Sequence, residues 1–236
     1  MTLDTTKVHD YFEGGAYLTR DAVLSVRTRL VSDLLADLRG GRVLDLGCGD
    51  GSISRPLLAG GNELTLVDFS QAMLDRAQRS EPPDAAGRVH YHCADVLEWN
   101  VDSAYDAVLC VGVVAHVRSV PALIRQVGAA TKPGGRCIIQ ITDVGRPLGW
   151  LLTRYWRMRR REGYRLNELS YAALSSLAAG CALAPISVRR YGLLLPLTGR
   201  LPHGWQRTLE RWFACTALSR AGSEALVVFQ KEPLPV

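Results

Sequence analysis

Short apolar runs alternate with amphipathic stretches along the first 143 residues. Val43-Leu44-Asp45-Leu46 reads as a buried strand, and Glu63–Asp68 as a second that ends in a carboxylate. Between them the pattern predicts a helix over 52–59, stopped by Gly60-Gly61. Ser70 then caps a helix over Gln71–Arg79. Three further strands are predicted at Val89–Cys93, 105–111 and 136–141, the last after the turn Lys132-Pro133-Gly134-Gly135. An amphipathic helix over 21–38 comes before all of them. Such alternation implies right-handed crossovers and a parallel sheet covered by helices on both faces. Past residue 143 the rhythm changes. Strands are predicted at 185–191 and 223–230, and the connection between them is long enough to need structure of its own. Segments 144–180 and 193–221 both read as helical insertions.

Candidate chemistry begins where the first strand ends. Gly47, Gly49 and Gly51 alternate in Asp45-Leu46-Gly47-Cys48-Gly49-Asp50-Gly51, suiting a chain that turns sharply off a strand and lets backbone approach a ligand. The spacing Asp-x-Gly-x-Gly-x-Gly departs from the dinucleotide fingerprint, and it resembles motif I of the class I S-adenosylmethionine (SAM)-dependent methyltransferases. Asp68, the acid after Cys93 and the Lys132-Pro133-Gly134-Gly135 turn follow in the order that family uses. The resemblance implies a Rossmann-like, seven-stranded, mostly parallel α/β sheet with an antiparallel last strand. It further implies helices on both faces and helical insertions that shape a substrate pocket. SAM would be the cofactor, S-adenosylhomocysteine (SAH) the product, and no metal would be needed. Gly47, Cys48, Gly49 and Gly51 would admit the methionine and ribose portions, with Asp45 orienting the loop and holding the ammonium directly or through water. Asp68 would take the ribose hydroxyls, Phe69 the adenine face, and Asp95 with Val96 the adenine edge. Cys110, at the end of the fourth strand, completes the expected cofactor set. A plainer role for Asp68 is that of an acid at a helix N-terminus.

The length suits a single α/β domain. Within it we expect an N-terminal lid and helix (1–40), a cofactor core (42–143), substrate-side insertions (144–222), and a last strand with tail (223–236). The start of the chain lacks the apolar core of a signal peptide, and no apolar run is long enough to span a bilayer, so a cytoplasmic protein is expected. The six cysteines lack metal or redox spacing and read as reduced thiols. Charge is uneven. Residues 1–143 carry 14 basic against 18 acidic residues, whereas 144–215 carry 12 against 3. A skew of that size marks a side that faces an anionic partner.

That skew centres on a stretch around Trp150. On a helix, Arg154, Arg157 and Arg161 form a cationic stripe beside an apolar one of Leu148, Leu151, Leu152 and Tyr155. The stripe could clamp an anionic acceptor, rest on an anionic membrane, or be a solvated face. No nucleic-acid recognition signature accompanies it. For a general base, His116 falls just past the fourth strand, where ligands of such sheets bind, with His9 and Tyr11 as weaker alternatives. Tyr11, Phe12 and Tyr17 resemble an aromatic lid of small-molecule methyltransferases, Tyr17 facing the substrate; the simpler role is packing of the first helix. The expected activity is methyl transfer to an O, N or C atom of a small organic acceptor, a secondary metabolite or a lipophilic or anionic intermediate. The rivals are a catalytically silent SAM-binding protein and an NAD-dependent oxidoreductase, which the glycine spacing opposes.

Overall fold

The computed structural model describes residues 21–100, 105–159, 167–192 and 203–233. In them seven strands form one sheet: β1 (Arg42–Leu46), β2 (Glu63–Asp68), β3 (Val89–Cys93), β4 (Tyr105–Cys110), β5 (Thr131–Thr142), β6 (Leu183–Tyr191) and β7 (Glu224–Lys231). The order is β3-β2-β1-β4-β5-β7-β6, so the chain reverses direction across the sheet after β3. Neighbours from β3 to β5 are parallel, and β7 runs antiparallel to both β5 and β6.

The central strands carry apolar residues on both faces because both faces are covered. In β4, Val108 and Cys110 point to one cluster with Leu123, Ile124 and Val127. Those three belong to helix α3 (Val120–Ala130), and helix α5 (Tyr171–Ala179) adds Leu174 on the same face. Ala107 and Leu109 point to the other cluster with Val31, Leu58 and Leu74. That face is covered by helices α1 (Asp21–Leu34) and α2 (Gln71–Arg79) and a 3-10 helix at Arg55–Gly60. The remaining helices are α4 (Pro147–Arg159), after β5, and α6 (His203–Cys215), which packs on α1.

Strands two and three begin and end as the sequence predicts, but other boundaries moved. The α-helix expected over 52–59 is instead a turn followed by the 3-10 helix. Pro56 supplies no N–H for a helical ladder, and Gly61, left-handed at φ 74°, stops the segment after two turns. The expected α1 ends four residues early, at Leu34. Lys132 to Gly135 bulge out of β5 instead of preceding it: Thr131 lies opposite Tyr105, and the pairing resumes at Arg136 opposite Ala107. Of the cysteines, Cys48, Cys110 and Cys137 are buried, whereas Cys93 and Cys215 are exposed.

Candidate active site

A cleft of about 320 Å³ opens at the C-terminal ends of β1, β2, β3 and β4. Its position follows from topology: between β1 and β4 the crossovers leave to opposite sides, and a crevice remains. The loop after β1 forms one wall. Its shape depends on two glycines. Gly47 is left-handed (φ 71°), and a Cβ there would lie 2.3 Å from Val113 Cγ2. Gly49 is also left-handed (φ 55°), but a Cβ there would meet nothing within 4 Å, so its backbone faces open cleft. Gly51 does not line the cleft; it lets the loop pack on Leu66 and Ala77.

The loop is held from beneath. Val67 O accepts from the N–H groups of Gly47 (2.8 Å) and Cys48 (3.1 Å). The Asp68 carboxylate accepts from Gly49 N–H at 2.8 Å through Oδ2 and from Ser70 N–H at 2.9 Å through Oδ1. Asp68 therefore braces the loop and opens α2 at once, and it still borders the cleft. Phe69 and Met73 continue that wall. Asp45 is buried behind the loop. Burial pushes its carboxyl up to about 7; the nearby Ser54 hydroxyl opposes this, and the Asp68 and Asp50 carboxylates reinforce it. Its Oδ2 is buried without a hydrogen-bond partner. Burial likewise raises the Cys48 and Cys110 thiols well above the usual thiol range, which keeps both protonated.

After β3, Asp95 and Val96 line the cleft. Asp95 accepts from Leu97 N–H at 2.8 Å and pairs with Arg118 at 3.2 Å; Arg118 also reaches Glu98 at 2.8 Å. After β4, Val113 and His116 complete the boundary, with His116 half-buried on a tight turn whose N–H donates to Val113 O at 2.8 Å. That turn is pinned from the far side of the chain. Asn167 donates through Nδ2 to Val114 O (2.9 Å) and Val117 O (2.7 Å), and its own N–H donates to Ala115 O (3.0 Å).

The structure thus gathers Gly47, Cys48, Gly49, Asp68, Phe69, Asp95, Val96 and His116 around one cleft. Asp45 and Cys110 lie behind it because β1 and β4 turn those side chains toward the interior, and Gly51 because its stretch of the loop packs on Leu66 and Ala77. Arg154 is exposed on α4, its guanidinium 5.9 Å from the Trp150 ring, and is not among the residues lining the cleft. His9, Tyr11, Tyr17, Arg161 and the Arg157 side chain lie outside the described residues. Sequence reasoning missed Arg118, Ile53, Met73 and Asn167. Arg118 had a signal, a cation two residues after His116; Asn167 had none, since its partners are about fifty residues away.

A carboxylate-braced glycine loop lies at the switch point of a 3-2-1-4-5-7-6 sheet, within the segment that matches a known domain family. Residues 43–135 match the family described as a methyltransferase domain. A ubiquinone biosynthesis O-methyltransferase of Bordetella avium is 32% identical over 116 residues, 48% of this chain and 48% of that protein. The chain thus spans about half the length of the curated relatives it matches. Among solved structures, a SAM-dependent methyltransferase of Thermotoga maritima, described as a possible histamine N-methyltransferase, superposes with TM-score 0.67 at 18% identity over 95% of this chain and 96% of that one. The Burkholderia thailandensis 1,6-didemethyltoxoflavin-N1-methyltransferase, solved with its acceptor and SAH, gives 0.62 at 18% identity over 97% and 86%. Among the described residues no group of His, Cys, Asp or Glu could hold a metal ion, and no helix is long and apolar enough to cross a membrane.

Proposed function

We propose that this chain transfers the methyl group of SAM to an O, N or C atom of a small organic acceptor. The observation that carries this reading is the Gly49 opening braced by Asp68: backbone exposed to an open cleft, with a carboxylate bound to the same loop. The residues suit the cofactor. Asp45, behind the loop, would reach an ammonium through water, and the Asp68 carboxylate borders the cleft where a ribose diol would lie. Phe69, Met73, Ile53 and Val96 offer apolar surface to a purine, and Asp95 an acceptor at its edge. When bound, SAM supplies an activated methyl carbon open to in-line displacement. The chain then has to align an acceptor, exclude water and take up a proton where the nucleophile carries one. His116 is our candidate to hold that proton, kept in place by Asn167.

We assign 42–143 to the cofactor and 144–222 to the acceptor side, with Tyr17, Arg154, Arg157 and Arg161 as candidate acceptor contacts and His9 and Tyr11 as alternative bases. The acceptor class we favour is a secondary metabolite or a lipophilic or anionic intermediate, acted on in the cytoplasm. The names of the relatives, a ubiquinone biosynthesis O-methyltransferase and a toxoflavin-precursor N-methyltransferase, support a small molecule. Titration calorimetry with SAH and transfer of labelled methyl from SAM to a panel of phenols, carboxylates and amines test the reading. SAH should bind, and His116→Ala should lower turnover by about 100-fold while SAH affinity holds. Absence of SAH binding overturns the reading; undiminished turnover removes His116 from it.

A further inference from the structure

The cofactor cleft does not account for the positive half of the chain. Away from it, at the β6 end of the same sheet edge, a second hollow of about 570 Å³ is lined by Arg146, Arg189, Arg190 and Arg220. No Asp or Glu lines it. The four arginines come from three separate elements: the loop before α4, edge strand β6, and the 3-10 helix Ala217–Ala221 before β7. Folding, not sequence proximity, brings them together, against the mutual repulsion of four cations.

Two of them are fixed in position. Arg146 donates through Nη2 to Arg220 O at 2.7 Å, which ties the α4 entrance to the 3-10 helix. Arg190 pairs with the buried Asp143 at 2.8 Å, while its Nη1 is buried without a hydrogen-bond partner. What marks the hollow is its lining: four arginine residues and no carboxylate. One carboxylate, Asp143, offsets only one of the four charges. Guanidinium forks match the oxygens of phosphates, and several converging on one hollow favour a group with more than one negative charge or several acceptor oxygens.

We infer that this hollow binds a phosphate-type anion, either as part of a soluble phosphorylated molecule or as a lipid headgroup. The rim bears on the second source: Trp150, one helical turn beyond Arg146, is 57% exposed, and Leu218, two residues before Arg220, is 58% exposed. Apolar side chains beside a cationic basin are what an anionic bilayer surface engages.

The experiment compares the parent with the Arg146→Gln/Arg220→Gln double variant in two arms. One titrates pyrophosphate by calorimetry; the other sediments the protein with vesicles of phosphatidylcholine alone or mixed with phosphatidylglycerol. SAH titration of both proteins runs alongside and should be unchanged, so a failure here is distinct from failure of the methyltransferase reading. The expected result is binding in at least one arm, screened by salt and weakened about tenfold or more in the variant. Pyrophosphate binding without sedimentation identifies a soluble phosphate ligand, and sedimentation confined to phosphatidylglycerol vesicles identifies a headgroup. Absence of binding in both arms, or binding indifferent to the double variant, overturns the inference.

Discussion

The cofactor cleft and the arginine hollow share one edge of one sheet, yet they are built by opposite means. The cleft is anchored on one short loop: after β1 the N–H groups of Gly47, Cys48 and Gly49 are spent on Val67 O and the buried Asp68 carboxylate, which fixes the glycines in place. Its chemistry is local in sequence and rigid. The hollow is made of side chains from distant elements, held by single contacts such as Arg146 to Arg220 O. A backbone site tolerates little change in its own residues, whereas a side-chain site can change its ligand without disturbing the sheet. One fold can thus keep a fixed cofactor end and vary the rest.

The largest test of that contrast uses the two glycines. Gly47→Val places a branched residue at φ 71° and drives its Cβ into Val113, so left-handed strain of about 1–2 kcal/mol adds to overpacking of about 1–3 kcal/mol. Denaturant unfolding should show the sum, with SAH binding abolished. Gly49→Val carries only the backbone strain, because open cleft surrounds its Cβ; stability should fall by about 1–2 kcal/mol while SAH binding is lost as completely. Equal destabilisation of the two variants would mean that the loop is not open at Gly49.

A smaller effect is expected from Asp45, whose carboxyl is raised by burial to about 7 from an unfolded value near 3.8. The folded state therefore binds a proton that the unfolded state releases. This stabilisation is complete below about pH 4 and disappears as pH rises through about 7. Asp45→Asn removes the slope, and relative to the parent it should gain about 1–4 kcal/mol of stability by pH 8, measured by urea unfolding across pH. The same variant should bind SAH more weakly, and the parent alone should gain SAH affinity from pH 5 to 7, as ionised Asp45 acts on the ligand's ammonium through water. A parent whose SAH affinity is flat over that range would sever Asp45 from the cofactor.

The smallest effect belongs to Arg118. Its ion pairs with Asp95 and Glu98 are solvent-exposed, so Arg118→Gln should leave thermal stability within error and shift SAH affinity only slightly. A large loss of affinity would show that the cleft, too, depends on a side-chain clamp, and the contrast with the hollow would narrow.

These differences also explain what could be read in advance. Glu63–Asp68 and the glycine loop carry their instructions within a few residues, and the fold places them accordingly. The motif places Asp45 at the end of β1, but only the fold shows that its side chain is buried behind the glycine loop. At 52–59 the expected helix gives way to a turn and a 3-10 helix, because Pro56 lies inside it. Asn167, Arg146 and Arg190 were invisible for a different reason: each acquires its partners only when segments about fifty or more residues apart meet.

The strand order carries a consequence for the order of assembly. Among the described residues β6 has a single sheet neighbour, β7, the last of the seven strands, which slots between β6 and β5. A nascent chain that has emerged only as far as Gly192 already holds every strand that borders the cleft, while β6 has no ladder to join. Arg189 and Arg190 meet Arg146 and Arg220 only once residues 217–231 arrive and zip the far half of the sheet shut. During synthesis, then, the cleft and the basic hollow mature at different times, the hollow second.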